Sequence, residues 1–331
     1  MATIETTPAT DRGTSPTVRA CYDLLTVVPA CGLIDLTDGK YVDERNDRAA
    51  YLAAQDRQAE YLLDQALCGR DTRLLDIGCG YGRILEQAAR RGARPVGITI
   101  SPPQVAADRA RGLDVRELNY RHIFCETNPP TPPYEGEANG WEHAFDAIVA
   151  NGSLEHFVQL GDALAGRVDE IYDEMFAICR RLLAAGGRFV TTAIHCRQVD
   201  QFSPAEIARG HRAHPRGSDE YQYAMLVELF GGWYPEPGQL ARCANPYFDL
   251  VAEEDGTHDY HLTSEHWQRQ FFWSLVCNPR VWWALGRQFW KQPRAALGMF
   301  KLQVRDQCWP WQFRPPAPMR LLRQTWVAKT C

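Results

Sequence analysis

A chain of 331 residues, 45% hydrophobic and 23% charged, can bury a full core as one large domain or two modest ones. The formal net charge of -5 argues against nucleic acid as the main partner, because neutralising phosphates needs a basic face. The 11 cysteines are scattered without a C-x-x-C pair, so no metal site and no thioredoxin-like motif is expected.

Residues 1–17, rich in Thr, Pro and Ser, read as a disordered tail without the apolar stretch or cleavage signature of a signal peptide. A cytoplasmic setting with reduced thiols is the expectation, and no window approaches the apolar length of a membrane span. Residues 18–70 read as a helical lead-in, with Leu52, Ala59, Leu62, Leu63 and Ala66 near helical spacing in a helix over 51–66. From residue 71 onward, alternating strand and helix patterns predict a doubly wound α/β sheet. The predicted strands are 73–77, 94–99, 113–118, 147–150 and 187–193, and the predicted helices are 84–91, 103–111 and 168–183. The Pro- and Gly-rich stretch 127–140 reads as a surface loop. Residues 200–245 suit a helical cap inserted in this one domain (71–331), and two further strands are expected at 247–251 and 323–329.

The first strand runs through Leu74-Leu75-Asp76-Ile77 into Gly78-Cys79-Gly80-Tyr81-Gly82 and a helix. Such glycines adopt dihedrals that other residues avoid and let backbone pass close to a ligand. A plain strand-to-helix turn is one reading and a dinucleotide site another. The dinucleotide fingerprint needs a glycine where this chain has Arg83, and an acid about 20 residues on where it reads Gly97-Ile98-Thr99-Ile100. The acid stands instead before the first glycine, at Asp76, which suits a ligand with an ammonium group. S-adenosylmethionine, with its amino acid tail, fits, and Asp76, Gly78, Gly80 and Gly82 are its expected holders.

Several ordered motifs extend this reading. They are Gly97-Ile98-Thr99-Ile100-Ser101-Pro102-Pro103-Gln104, Asn119-Tyr120-Arg121, Phe145-Asp146-Ala147-Ile148-Val149-Ala150-Asn151-Gly152-Ser153-Leu154-Glu155-His156-Phe157, and Tyr260-His261-Leu262-Thr263-Ser264-Glu265-His266-Trp267. Together they resemble the cyclopropane fatty acid synthase family of class I S-adenosylmethionine-dependent methyltransferases. The resemblance implies a mainly parallel seven-stranded sheet with helices on both faces. It also implies that Thr99, Ile100 and Gln104 meet the nucleoside, with Asn119 and Tyr120 near the adenine.

In that family a bound bicarbonate takes a proton to close the ring, held by Cys, Glu, His and Tyr side chains and a backbone group at an Ile. Glu155, Tyr260 and Ile194 match three of these positions and become the expected reaction centre. Thr192 stands where the family has His, and the Cys motif is not recognisable in Leu36-Thr37-Asp38-Gly39-Lys40-Tyr41. His195, three residues beyond Thr192, would point to the opposite face of a strand. His156, His258 and His261 are nearer candidates for the missing imidazole, though each reads first as a surface or helix-packing residue. The activity implied is transfer of a methyl or methylene carbon to the double bond of an unsaturated lipid acyl chain. The alternatives are a C- or O-methyltransferase of a hydrophobic specialised metabolite, without ring closure, and a non-catalytic lipid- or donor-binding homologue.

Residues 269–323 hold eleven Phe and Trp residues and ten Arg and Lys residues against the single acid Asp306. This composition suits a peripheral contact with an anionic membrane, an apolar channel for an acyl chain, or ordinary packing of aromatics on the sheet. Nothing in the sequence speaks to oligomeric state.

Overall fold

Apolar runs become strands here because both faces of the sheet are covered. The computed structural model describes residues 30–33, 35–135 and 140–330; the tail expected at 1–17 and the start of the lead-in lie outside them. The strands are β1 (Arg73–Ile77), β2 (Arg94–Thr99), β3 (Val115–Glu117), β4 (Phe145–Asn151), β5 (Leu183–Cys196), β6 (Phe248–Asp255) and β7 (Met319–Ala328). They form one sheet in the order β3-β2-β1-β4-β5-β7-β6. The strands from β3 through β5 pair in parallel, whereas β7 runs antiparallel between β5 and β6.

The longer helices are α1 (Arg48–Gln65), α2 (Arg83–Arg90), α3 (Pro102–Arg109), α4 (Val168–Leu182), α5 (Asp219–Phe230), α6 (Thr257–Cys277), α7 (Pro279–Lys291) and α8 (Pro293–Phe300). Helix α1 begins where the Asp47 carboxylate accepts the Ala50 amide at 2.9 Å, satisfying an otherwise orphaned donor. Successive residues of a strand face opposite sides. Leu74 therefore packs with Ala59, Leu62 and Leu63 of α1, while Leu75 and Ile77 join Ile171, Met175 and Phe176 of α4.

Two expectations are corrected. The stretch 127–140 is not only a surface loop: Tyr134 is buried against Phe145, ring centroids 5.8 Å apart, and its hydroxyl donates to the Arg94 carbonyl at 2.7 Å. Strand β5 continues to Cys196, past the expected end at 193, because β7 pairs with it as far as Cys196 opposite Met319.

The segment between β5 and β6 closes over the carboxyl end of the sheet. The Trp233 amide donates to the Glu155 carbonyl at 3.1 Å. At neighbouring Gly232, with φ +87°, a Cβ would lie 2.4 Å from that same oxygen, so only glycine permits the approach. Asp306 ties this segment to the C-terminal helices, accepting from Arg216 Nε at 2.9 Å and from the Tyr221 hydroxyl at 3.1 Å. Among the described residues no helix is long and apolar enough to cross a membrane.

Candidate active site

Strand β1 delivers Asp76 to the carboxyl edge of the sheet, in register with Gly97 of β2 and Val149 of β4. Chain order reverses at β1, and open α/β sheets bind ligands at such a point. Past Asp76, Gly78, Gly80 and Gly82 take φ values of +80°, +56° and +71°. The amides of Gly78 and Cys79 donate to the Ile98 carbonyl at 2.9 and 3.1 Å, which fixes the turn to β2. A Cβ on Gly80 would meet no atom within 4 Å, because the position borders the cleft itself.

Asp76 lines this cleft, 1% exposed. No hydrogen-bond donor among the described side chains reaches its carboxyl, and burial, aided by the Asp108 charge, raises it to about 8. A buried carboxyl without a partner is costly, and a ligand ammonium group would answer it. The residues thus fit the amino acid end of S-adenosylmethionine.

Gln104 lines the same cleft, and its Oε1 accepts from the Thr99 hydroxyl at 2.7 Å. Thr99 is buried behind it, and Ile100 forms the bend that follows β2. Asn119 uses its Oδ1 to cap a short turn through the Arg121 amide at 3.1 Å. The Tyr120 side chain, expected near an adenine, instead lies in the core, stacked on Phe157 with centroids 4.4 Å apart. The sequence could not separate these outcomes, because a tyrosine after a β-strand suits core and ligand equally.

The wall across from the glycine turn is built by Glu155, Ile194, Thr192 and Tyr260. Glu155 is 4% exposed, its Oε2 has no partner, and burial pushes its carboxyl up to about 8. Backbone N–H groups of Glu155 and Ile194 work against that shift. Thr192 is held by the Asn151 side chain. Tyr260 lies tilted by 31° against Phe313, ring centroids 4.3 Å apart, and meets Trp267 edge-on at 5.7 Å. The aromatic series continues through Trp309, 5.1 Å from Trp267, to Phe230, 5.2 Å from Trp309. Phe230, Trp309, Tyr260 and Leu226 line the cleft, so this end is apolar.

Of the histidines weighed from the sequence, only His156 lines the cleft, and burial lowers its pKa to about 4. His258 bonds Glu44 at the surface. His261 stands half-buried on α6, outside the cleft lining. His195 is buried beside Arg320, away from the cleft, as the strand offset implied.

The sequence reading missed the strap formed by residues 35–41. Arg83, noted only as an interruption of the dinucleotide fingerprint, donates to Asp35 at 2.9 Å and to Asp56 at 2.6 Å, clamping the strap beside the turn. Asp38 follows, 6% exposed and lining the cleft. Its carboxyl lies 3.4 Å from Arg323 Nη2; burial outweighs that attraction and raises it to about 6. The Arg323 side chain is fully buried and also reaches Glu254 at 3.0 Å, Asp259 at 2.8 Å and the Gly39 carbonyl at 3.0 Å. Among the described residues no cluster of His, Cys, Asp or Glu is arranged to hold a metal ion.

The profile of the mycolic acid cyclopropane synthetase family matches residues 44–275. A ubiquinone biosynthesis O-methyltransferase from Alkalilimnicola ehrlichii is 30% identical over 51% of this chain and 61% of that protein. The cyclopropane-fatty-acyl-phospholipid synthase of Escherichia coli is 25% identical over 66% of this chain and 47% of that protein. The chain thus spans about half to three-fifths of the length of these relatives. The cyclopropane synthase MmaA2 from Mycobacterium tuberculosis superposes with a TM-score of 0.68 at 17% identity, over 94% of this chain and 97% of that one. The mycolic acid cyclopropane synthase CmaA1, crystallised with SAH and CTAB, gives 0.65 at 20% identity, over 95% and 97%. At these identities the two structures establish a shared class I methyltransferase fold.

Proposed function

The chain belongs to the mycolic acid cyclopropane synthetase family of S-adenosylmethionine-dependent methyltransferases, and we propose that it adds a methyl or methylene carbon to the double bond of an unsaturated lipid acyl chain. The observation that supports this most is one cleft with two unlike ends. A buried, unanswered carboxyl at Asp76 sits beside a bare glycine turn, and an aromatic, apolar wall ends at Glu155. When bound, the donor supplies an electrophilic methyl group. Asp76 and the turn would hold its amino acid end, Gln104, backed by Thr99, its nucleoside, and Ile100 and Asn119 the rim of that site. The rings of Tyr260, Phe230 and Trp309 suit an apolar acceptor, and their faces stabilise positive charge developing on it.

An exposed surface supports delivery from a membrane. Between Glu265 and Asp306 there are seven Arg and Lys residues and no carboxylate. Trp273, Trp283 and Trp290 stand 67%, 67% and 91% exposed there. Tryptophan with interleaved cations is the chemistry of binding at an anionic lipid surface.

The second reading is a C- or O-methyltransferase of a hydrophobic metabolite. Thr192 and the absent Cys favour it, since both departures fall at positions the resemblance links to ring closure. A donor with a fully deuterated methyl group separates the two. A cyclopropane product keeps two deuterons, a simple methyl product keeps three, and absence of S-adenosylhomocysteine with every unsaturated lipid offered contradicts the lipid reading.

A further inference from the structure

The cleft turns acidic where its apolar wall ends. Asp38 on the strap and Glu155 after β4 line one cleft, close enough for the Asp38 charge to act on the Glu155 carboxyl. The nearest cation, Arg323, is buried and already shared among Asp38, Asp259 and Glu254. A bicarbonate placed here would meet two carboxyl groups and no uncommitted cation. It would also find Thr192, tied to Asn151, where an imidazole is expected. These residues do not fit a bound anion.

The geometry points to Asp38 as the proton acceptor of the reaction centre, paired with Glu155, so that the protein itself supplies the base and no bicarbonate is held. This rests on the proposed transferase reading and names who completes it. The acceptor's π pair forms the new bond to the methyl carbon, and the carbon–sulfur pair leaves with sulfur as the neutral thioether. The acceptor is then a cation and must lose a proton. A carboxylate oxygen of Asp38 takes that proton from the transferred methyl, and the freed C–H pair closes the ring. The same transfer from a neighbouring carbon yields an alkene instead. On product release the proton leaves to solvent.

The Oε2 of Glu155, buried, bordering the cleft and without a hydrogen-bond partner, is free to carry a proton within reach of the Asp38 charge. Burial places Glu155 at about 8 and Asp38 at about 6, so near neutrality Asp38 is the ionised member. The other groups facing the pair are Arg323 of β7, Asp259 of α6, Tyr172 of α4 and neutral His156. With its conjugate acid at about 4, His156 is the weaker base.

The test uses the full chain and three measurements. Infrared difference spectra of the carboxyl C=O band, taken with and without Asp38→Asn, follow the titration of Glu155. The expected result is a lower pKa for Glu155 in the variant, because the Asp38 charge that raises it is gone; an unchanged titration overturns the pairing whether or not any lipid is turned over. NMR of 13C-labelled bicarbonate should show no bound signal, and one that disappears in Glu155→Gln contradicts the inference. In argon-sparged buffer with vesicles of unsaturated phospholipid, Asp38→Asn should lose about a hundredfold or more in turnover. Its affinity for S-adenosylhomocysteine by calorimetry should stay within threefold of the wild type, and added bicarbonate should leave wild-type turnover unchanged. Stimulation by bicarbonate defeats the inference alone, whereas failure of the wild type to bind S-adenosylhomocysteine defeats the transferase reading on which it rests.

Discussion

Asp76 is held in an ionisation state that only a ligand corrects. Burial raises its carboxyl to about 8, so near pH 7 it is mostly protonated. A bound ammonium group favours the carboxylate, and binding must then release a proton. Calorimetry in buffers of different ionisation enthalpy should detect that proton at pH 7, with donor affinity rising from pH 6 to pH 8. Asp76→Asn should release none and bind at least about tenfold more weakly, a loss of about 1.4 kcal/mol. Gly80 makes a complementary case. With φ +56° and open space where a Cβ would stand, Gly80→Val costs the empty protein about 1–2 kcal/mol of backbone strain. It should nevertheless abolish donor binding by filling the approach to the turn. Wild-type affinity in this variant, read by calorimetry, would contradict the assignment.

At the scale of elements, α7 presents Trp283, Arg287 and Trp290 at helical spacing on one face, with the Arg287 guanidinium 4.8 Å from the Trp283 ring centre. Trp283→Ala with Trp290→Ala should reduce cosedimentation with anionic vesicles severalfold while donor affinity holds. Equal binding to zwitterionic and anionic vesicles would argue against an electrostatic contact. The sequence counted these residues together with Trp309, Trp311 and Phe313, which the fold sends inward; Phe313 is 1% exposed. Composition alone cannot divide a segment whose helices turn twice. Strands β1 and β2 were legible to the residue, since a buried parallel strand is a continuous apolar run bounded by turn signals. The donor side followed, because a glycine turn is a local pattern. The strap was not legible: Asp38 and Arg323 are 285 positions apart, and no periodicity links residues that meet only when β7 inserts beside β5.

For the whole molecule, buried carboxyls impose a pH dependence of stability. Asp76 and Glu155 at about 8 and Asp38 at about 6 all lie above their unfolded values near 4. Between those limits the folded chain holds protons that the unfolded chain has lost. Stability therefore falls as pH rises from about 6.5 to 8, by up to about 1.4 kcal/mol per pH unit for Asp76 and for Glu155, whereas between about 4 and 6.5 the buried, neutral His156 and His195 oppose the carboxyls. Below that window the balance reverses as Asp146 and Glu254, held low by Arg73 and by Lys40 and Arg323, take up protons. Melting curves should show a higher midpoint at pH 6 than at pH 8, with Glu155→Gln flattening the difference. One cleft joins an amino acid anchor at Asp76 to the carboxyl groups of Glu155 and Asp38, and a crystal structure with S-adenosylhomocysteine puts that arrangement to the proof. The expected density runs over the glycine turn with the ammonium group on Asp76, the nucleoside toward Gln104 and the sulfur toward Glu155. A vacant cleft in crystals soaked at saturating concentration, or a ligand whose amino acid end lies away from Asp76, would contradict it.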